Sequence, residues 1–134
     1  MSVYNVRPEV LIKRVSEDLK NKVEAPDWAA FVKTSAGKDK PPSQENWWYI
    51  RMASILQKLY KKGPLGVSRL RSEYKTKKNR GSKPERSYTG GGKITRVALQ
   101  QLAELGFVKI TDDAKGRELT PAGRSYLDKI AKSI

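Results

Sequence analysis

Apolar residues recur at spacings of three and four along much of the chain, and this periodicity predicts helices. Over 8–23, Leu11, Ile12, Val15, Leu19 and Val23 share one face, and Pro8 suits the first turn. Asp27 is placed to cap a short turn carrying Trp28, Ala30, Phe31 and Val32. A polar connector follows at 34–44, where Gly37 and Pro41-Pro42 interrupt regular structure. The strongest pattern runs over 45–61, with Trp48, Met52, Ile55, Leu56 and Leu59 on one stripe. Gly63-Pro64 stops that helix, and Gly66-Val67-Ser68 starts a short one through Leu70 to Tyr74.

Residues 75–93 (KTKKNRGSKPERSYTGGGK) lack apolar periodicity and read as a long basic loop that orders on an anionic partner. Beyond it, Ile94, Val97, Ala98, Leu102 and Leu105 predict a helix over 93–105, closed by Gly106. Residues 107–111 alternate as a strand; Asp112, Asp113, Lys115 and Gly116 form a turn; 117–119 return as a second strand. Thr120-Pro121 then opens a last helix with Leu127, Ile130, Ala131 and Ile134 on one face. The expected fold is mainly α: a winged helix-turn-helix with an extra N-terminal helix and a small β-hairpin wing. One domain covers 1–134, with the basic loop inserted between two of its helices.

Charge changes this picture from a fold to a function. The chain has 134 residues, 28 Lys+Arg and 14 Asp+Glu, for a net charge of +14. Residues 1–50 and 97–134 are each nearly neutral, whereas 51–96 hold fourteen cations against Glu73 and Glu85 alone. Packing like charges this densely costs self-repulsion that a polyanion relieves, so nucleic acid is the expected partner. On the 45–61 helix, Arg51, Lys58 and Lys62 fall within about 20° of one line beside the apolar stripe. That spacing lets one edge pack while the other meets phosphates. No basic amphipathic helix or lipidation signal supports a membrane surface, and no apolar run is long enough to span one.

Catalysis is poorly served. Neither Cys nor His occurs, which excludes disulfides, thiolate nucleophiles, Cys/His zinc sites and a histidine base, and no cofactor is implied. The Gly90-Gly91-Gly92-Lys93 run misses the phosphate-loop pattern, with Ser87 where Gly is needed and Ile94 where Ser or Thr is needed. Asp112 and Asp113 are turn formers rather than ligands. Trp48 belongs to the core; Trp28 and Trp47 are assigned there too, with base stacking as the alternative. Tyr88 has two equal readings, a base-stacking platform or a loop anchor.

About nineteen residues of basic loop between the two recognition-motif helices would crowd a DNA major groove and suit an irregular RNA surface better. A winged-helix DNA-binding regulator is the alternative. Over nearly its whole length the chain resembles the archaeal and eukaryotic family of the nineteenth small-subunit ribosomal protein. The resemblance rests on VEAPDWAAFVKT, ENWWYIRMASILQKLYKKGPLGVSRLRSEY, KNRGSKPERS, GGGKITRVALQQLAELGFV and RELTPAGR, in that order. It implies a winged-helix protein of the small-subunit head, in the cytoplasmic ribosome. Its partners would be ribosomal RNA and other small-subunit proteins, with a role in subunit maturation and a monomeric state outside the ribosome. By this resemblance, Arg51, Lys58, Lys62, Arg69, Arg71 and Arg96 form the RNA-binding patch. The KNRGSKPERS loop and the wing at Gly116-Arg117 lie beside it. The full candidate set adds Lys75, Lys77, Lys78, Arg80, Lys83, Arg86, Lys93 and Arg117.

Overall fold

The computed structural model describes residues 3–30, 46–80, 82–111 and 116–134. After a 3-10 turn at Val3–Asn5, helix α1 (Pro8–Lys20) opens on its predicted proline. It ends three residues before the predicted 23, because the Lys22 and Val23 amides both turn back to the Leu19 carbonyl. A second 3-10 turn, Asp27–Ala30, leads towards α2 (Trp47–Lys62) and the short α3 (Val67–Glu73). Strands β1 (Thr76–Arg80) and β2 (Lys83–Tyr88) precede α4 (Gly92–Glu104). Strands β3 (Val108–Ile110) and β4 (Arg117–Leu119) form the wing, and α5 (Pro121–Lys132) closes the chain. The predicted connector at 34–44, Phe31 and Val32, and the wing turn at Asp112, Asp113 and Lys115 lie outside the described residues.

The core is built largely from the stripes read from the sequence, but Ile134 of the last stripe is exposed and Ile12, Val23, Val97, Leu105 and Ile130 are only half-buried at its edge. Leu11, Val15 and Leu19 of α1 meet Trp48, Met52, Ile55, Leu56 and Leu59 of α2, and all are buried. Leu70, Ile94, Ala98, Leu99, Leu102 and Leu127 complete it. Each buried side chain of this size stabilises the fold by roughly 1.5–3 kcal/mol, which is why the periodicity is so strict. Gly63 and Gly106 end α2 and α4 with φ of 81° and 83°, a region that glycine occupies without a Cβ clash. Thr120 caps α5 by accepting from the Gly123 amide at 3.1 Å, as its position before Pro121 predicts.

The wing is an antiparallel pair with Val108 opposite Leu119, Lys109 opposite Glu118 and Ile110 opposite Arg117. The segment between α2 and α3 joins it: Leu65 and Arg117 exchange both backbone hydrogen bonds, at 2.9 and 3.0 Å. Helices α2, α3 and α4 with this wing make the winged helix-turn-helix, and α1 packs across α2 as the extra helix.

The expected basic loop at 75–93 is a correction. It is largely an antiparallel hairpin, with Thr76 opposite Tyr88, Lys77 opposite Ser87 and Lys78 opposite Arg86. A register shift between Lys78 and Arg80 then sets Arg80 opposite Lys83. Apolar alternation marks a strand only when one face is buried, and the ribbon side chains whose burial is described, Pro84, Ser87 and Tyr88, are exposed or half-buried. Its legible signal was Gly81-Ser82 between the two strands, a pair suited to a two-residue turn.

Candidate nucleic-acid interface

The line predicted on α2 exists, and it faces the C-terminal turn of α3. The Arg51 guanidinium lies over the Tyr74 ring at 3.9 Å, and Lys58 Nζ stands 5.4 Å from the same ring. Lys58 Nζ also lies 3.9 Å from Glu73 Oε2, and Lys62 Nζ donates to Glu73 Oε1. Three residues on one edge of α2 thus meet Glu73, the last residue of α3, and Tyr74, which caps it. Tyr74 is held in turn by its hydroxyl, which donates to Ser54 Oγ at 2.7 Å, one turn along α2 from Arg51.

Arg51 differs from a freely solvated surface cation. It is half-buried, and desolvation by burial lowers its pKa from the ordinary arginine value. Its Nη1 is buried with no hydrogen-bond partner among the described residues. The aromatic face beneath it supplies the compensating attraction. Burial likewise pushes the Tyr74 phenol up.

Arg71 binds the base of the hairpin to α3. Its Nε donates to the Gly90 carbonyl at 2.8 Å, while the Gly90 amide donates to the Arg71 carbonyl at 2.9 Å. A Cβ on Gly90 would stand 2.9 Å from the Tyr74 Cβ, so the chain passes here only as glycine. The same guanidinium borders Gly92 at the start of α4, where an added Cβ would lie 3.6 Å from its Cζ. Arg71 therefore serves as a tether as well as a cation.

The remaining candidates fall into three groups. Arg69, Lys75, Lys93 and Arg96 are exposed on α3, after it and on α4. Lys93 Nζ sits 4.8 Å over the Trp28 ring, which gives this cation a fixed bed. Lys77, Lys78, Arg80, Lys83 and Arg86 take positions along the ribbon, and their side chains lie outside the described residues. Arg117 is half-buried in the wing, its backbone committed to Leu65. Arg51, Lys58, Lys62, Arg71 and Lys75 are brought together around Glu73 and Tyr74; the wing cation is not tied to that group.

Trp47 and Trp48 are core, as favoured, and Trp28 packs against that core without being fully buried. Trp48 is 1% exposed and donates to Gln101 Oε1, and Trp47 donates to the Ala29 carbonyl. Trp28 is half-buried, edge-on to Trp48 at 5.5 Å. Sequence reasoning missed Tyr74 as the platform for Arg51 and Glu73 as the counter-charge of two lysines. Glu73 did carry a signal, as one of only two acids among the residues from 51 to 96.

The sequence pattern of the family described as Ribosomal protein S19e matches residues 2–134. Small ribosomal subunit protein eS19 of Thermoplasma volcanium is 46% identical over 136 residues, spanning 100% of this chain and 89% of its own length. The protein of the same name from Aeropyrum pernix is 44% identical, spanning 100% of this chain and 90% of its own length. That from Haloarcula marismortui is also 44% identical, over 99% and 90%. Matches that run from end to end take in the core stripes, the ribbon and the cations alike, and the chain belongs to the ribosomal protein S19e family.

Proposed function

We propose that this chain is a structural, non-catalytic constituent of the small ribosomal subunit that holds ribosomal RNA and supports subunit maturation. The observation that carries the reading is the gathering of Arg51, Lys58, Lys62, Arg71 and Lys75 around the α2–α3 contact. A cationic zone built on rigid helices, with exposed Arg69 on α3 and exposed Lys93 and Arg96 on α4, suits the phosphates of a folded RNA. The ribbon between α3 and α4 replaces the tight turn that a DNA-reading helix pair uses, which favours RNA over a duplex groove. Family membership supports a place in the cytoplasmic ribosome beside other small-subunit proteins; we read the free protein as a monomer.

A competition assay tests this. Labelled small-subunit ribosomal RNA fragments are bound to the protein and challenged with duplex DNA of matched phosphate content. Structured RNA should resist displacement at physiological salt. Preferential release by one DNA sequence would instead support a winged-helix regulator.

A further inference from the structure

Glu73 stands where an acid is least expected. Within 51–96 it shares fourteen cations with one other acid, Glu85. Its carboxylate accepts from Lys62 and lies 3.9 Å from Lys58, and the charge of Lys75 acts on it as well. Arg69 precedes it by one turn on α3. Two lysines four residues apart on one helix, closing on a single anionic group from another, reproduce the arrangement that binds a phosphate. The lysine side chains remain reachable, at 23% and 51% exposure, and the carboxylate itself is 26% exposed. Exposed ion pairs contribute little to stability, so such a pair exchanges readily for another anion.

We propose that Glu73 is an internal stand-in for an RNA phosphate: it occupies the Lys58–Lys62 site in the free protein and is displaced when the RNA backbone binds. The inference rests on the RNA reading above and names the site where one backbone phosphate lands. Lys58 and Lys62 are kept apart from their own repulsion and held in place until that exchange. Free protein thereby avoids presenting a doubly cationic clamp to every passing anion.

The test compares wild type with Glu73→Gln for binding to a structured small-subunit ribosomal RNA fragment across a salt series. E73Q should bind about 3-fold to 10-fold tighter at low salt, because no competitor must leave. Its log–log salt slope should steepen by up to roughly 0.7–0.9, because the displaced wild-type carboxylate takes up a cation from solution and the variant has none to do so. Both changes should vanish in a Lys58→Gln/Lys62→Gln background, and Glu104→Gln, an equal charge change at the C-terminal end of α4, should produce neither. Unchanged or weaker binding by E73Q would overturn the proposal, since a carboxylate that merely braces the lysines gives that result. So would an equal gain in E104Q.

A second arm uses inorganic tripolyphosphate, followed by NMR of the lysine ammonium groups. Stronger perturbation of Lys58 and Lys62 in E73Q supports the displaced-anion site even if the RNA fragment fails to bind. Normal RNA binding with no E73Q effect in either arm leaves the RNA reading standing and removes this inference.

Discussion

The Arg51 guanidinium carbon lies 3.9 Å from the centre of the Tyr74 ring, so a cation of α2 rests on the residue that ends α3. This stack does two jobs. It fixes the angle between the helices, and it holds a partly desolvated charge at the edge of the basic zone. Tyr74→Phe keeps the ring and loses only the hydrogen bond to Ser54, at a cost of about 1 kcal/mol. Tyr74→Ala removes the platform and should cost about 3 kcal/mol in urea unfolding. The alanine variant should also weaken RNA binding beyond what its stability loss explains, whereas the phenylalanine variant should bind normally.

Gly123 sits inside α5, where an alanine on an open helix face would ordinarily stabilise by about 1 kcal/mol. Here an added Cβ would lie 2.3 Å from the Phe107 carbonyl oxygen, a backbone atom that cannot step aside. Gly123→Ala should therefore destabilise by about 1–3 kcal/mol, reversing the usual sign. Thermal unfolding of the single variant checks it.

The helices were legible because burial enforces their period. Trp48, Met52, Ile55, Leu56 and Leu59 are all buried as their spacing requires, and Gly106 and Thr120 end and begin helices as their chemistry demands. The ribbon was not, because paired strands outside the core need no apolar alternation. Spacing on α2 also put Arg51, Lys58 and Lys62 on one line. It could not say what that line faces, since Glu73 and Tyr74 reach it only through the packing of α3. The bridge between Leu65 and Arg117 was hidden for the same reason, being a contact between segments far apart in the chain.

The two ribbons should respond to salt in opposite directions. In the hairpin, Lys78 opposes Arg86 and Arg80 opposes Lys83, and like charges directly across a ladder destabilise it. In the wing, Lys109 opposes Glu118, with Nζ 3.5 Å from Oε1. Raising sodium chloride from about 0.01 M to about 1 M shortens the screening length from about 30 Å to about 3 Å. Amide exchange across β1 and β2 should slow with added salt, while exchange across β3 and β4 should quicken. A common response of both ribbons would contradict the role given to these cross-strand charges.

Alkaline pH should weaken the fold. The Tyr126 hydroxyl donates to Asp18, joining α5 to α1, and burial followed by that carboxylate pushes its pKa well up. Tyr60, donating to Asp128, and the half-buried Tyr74 are raised as well. Unfolded tyrosine releases its proton near about pH 10, whereas these folded ones retain theirs. Stability is thus intact below that value and falls as pH rises above it. Unfolding free energies measured from about pH 8 to about pH 11 should decline at the upper end, and Tyr126→Phe should decline less steeply.

Salt dependence of RNA affinity bears most directly on the claim that this surface grips phosphates. Arg69 and Arg96 are exposed, so replacing each with glutamine leaves the core untouched. Each substitution should flatten the slope of log affinity against log salt by roughly 0.7–0.9, and the double variant by about the sum. Slopes identical to wild type in all three proteins would contradict the assignment of the RNA-binding surface.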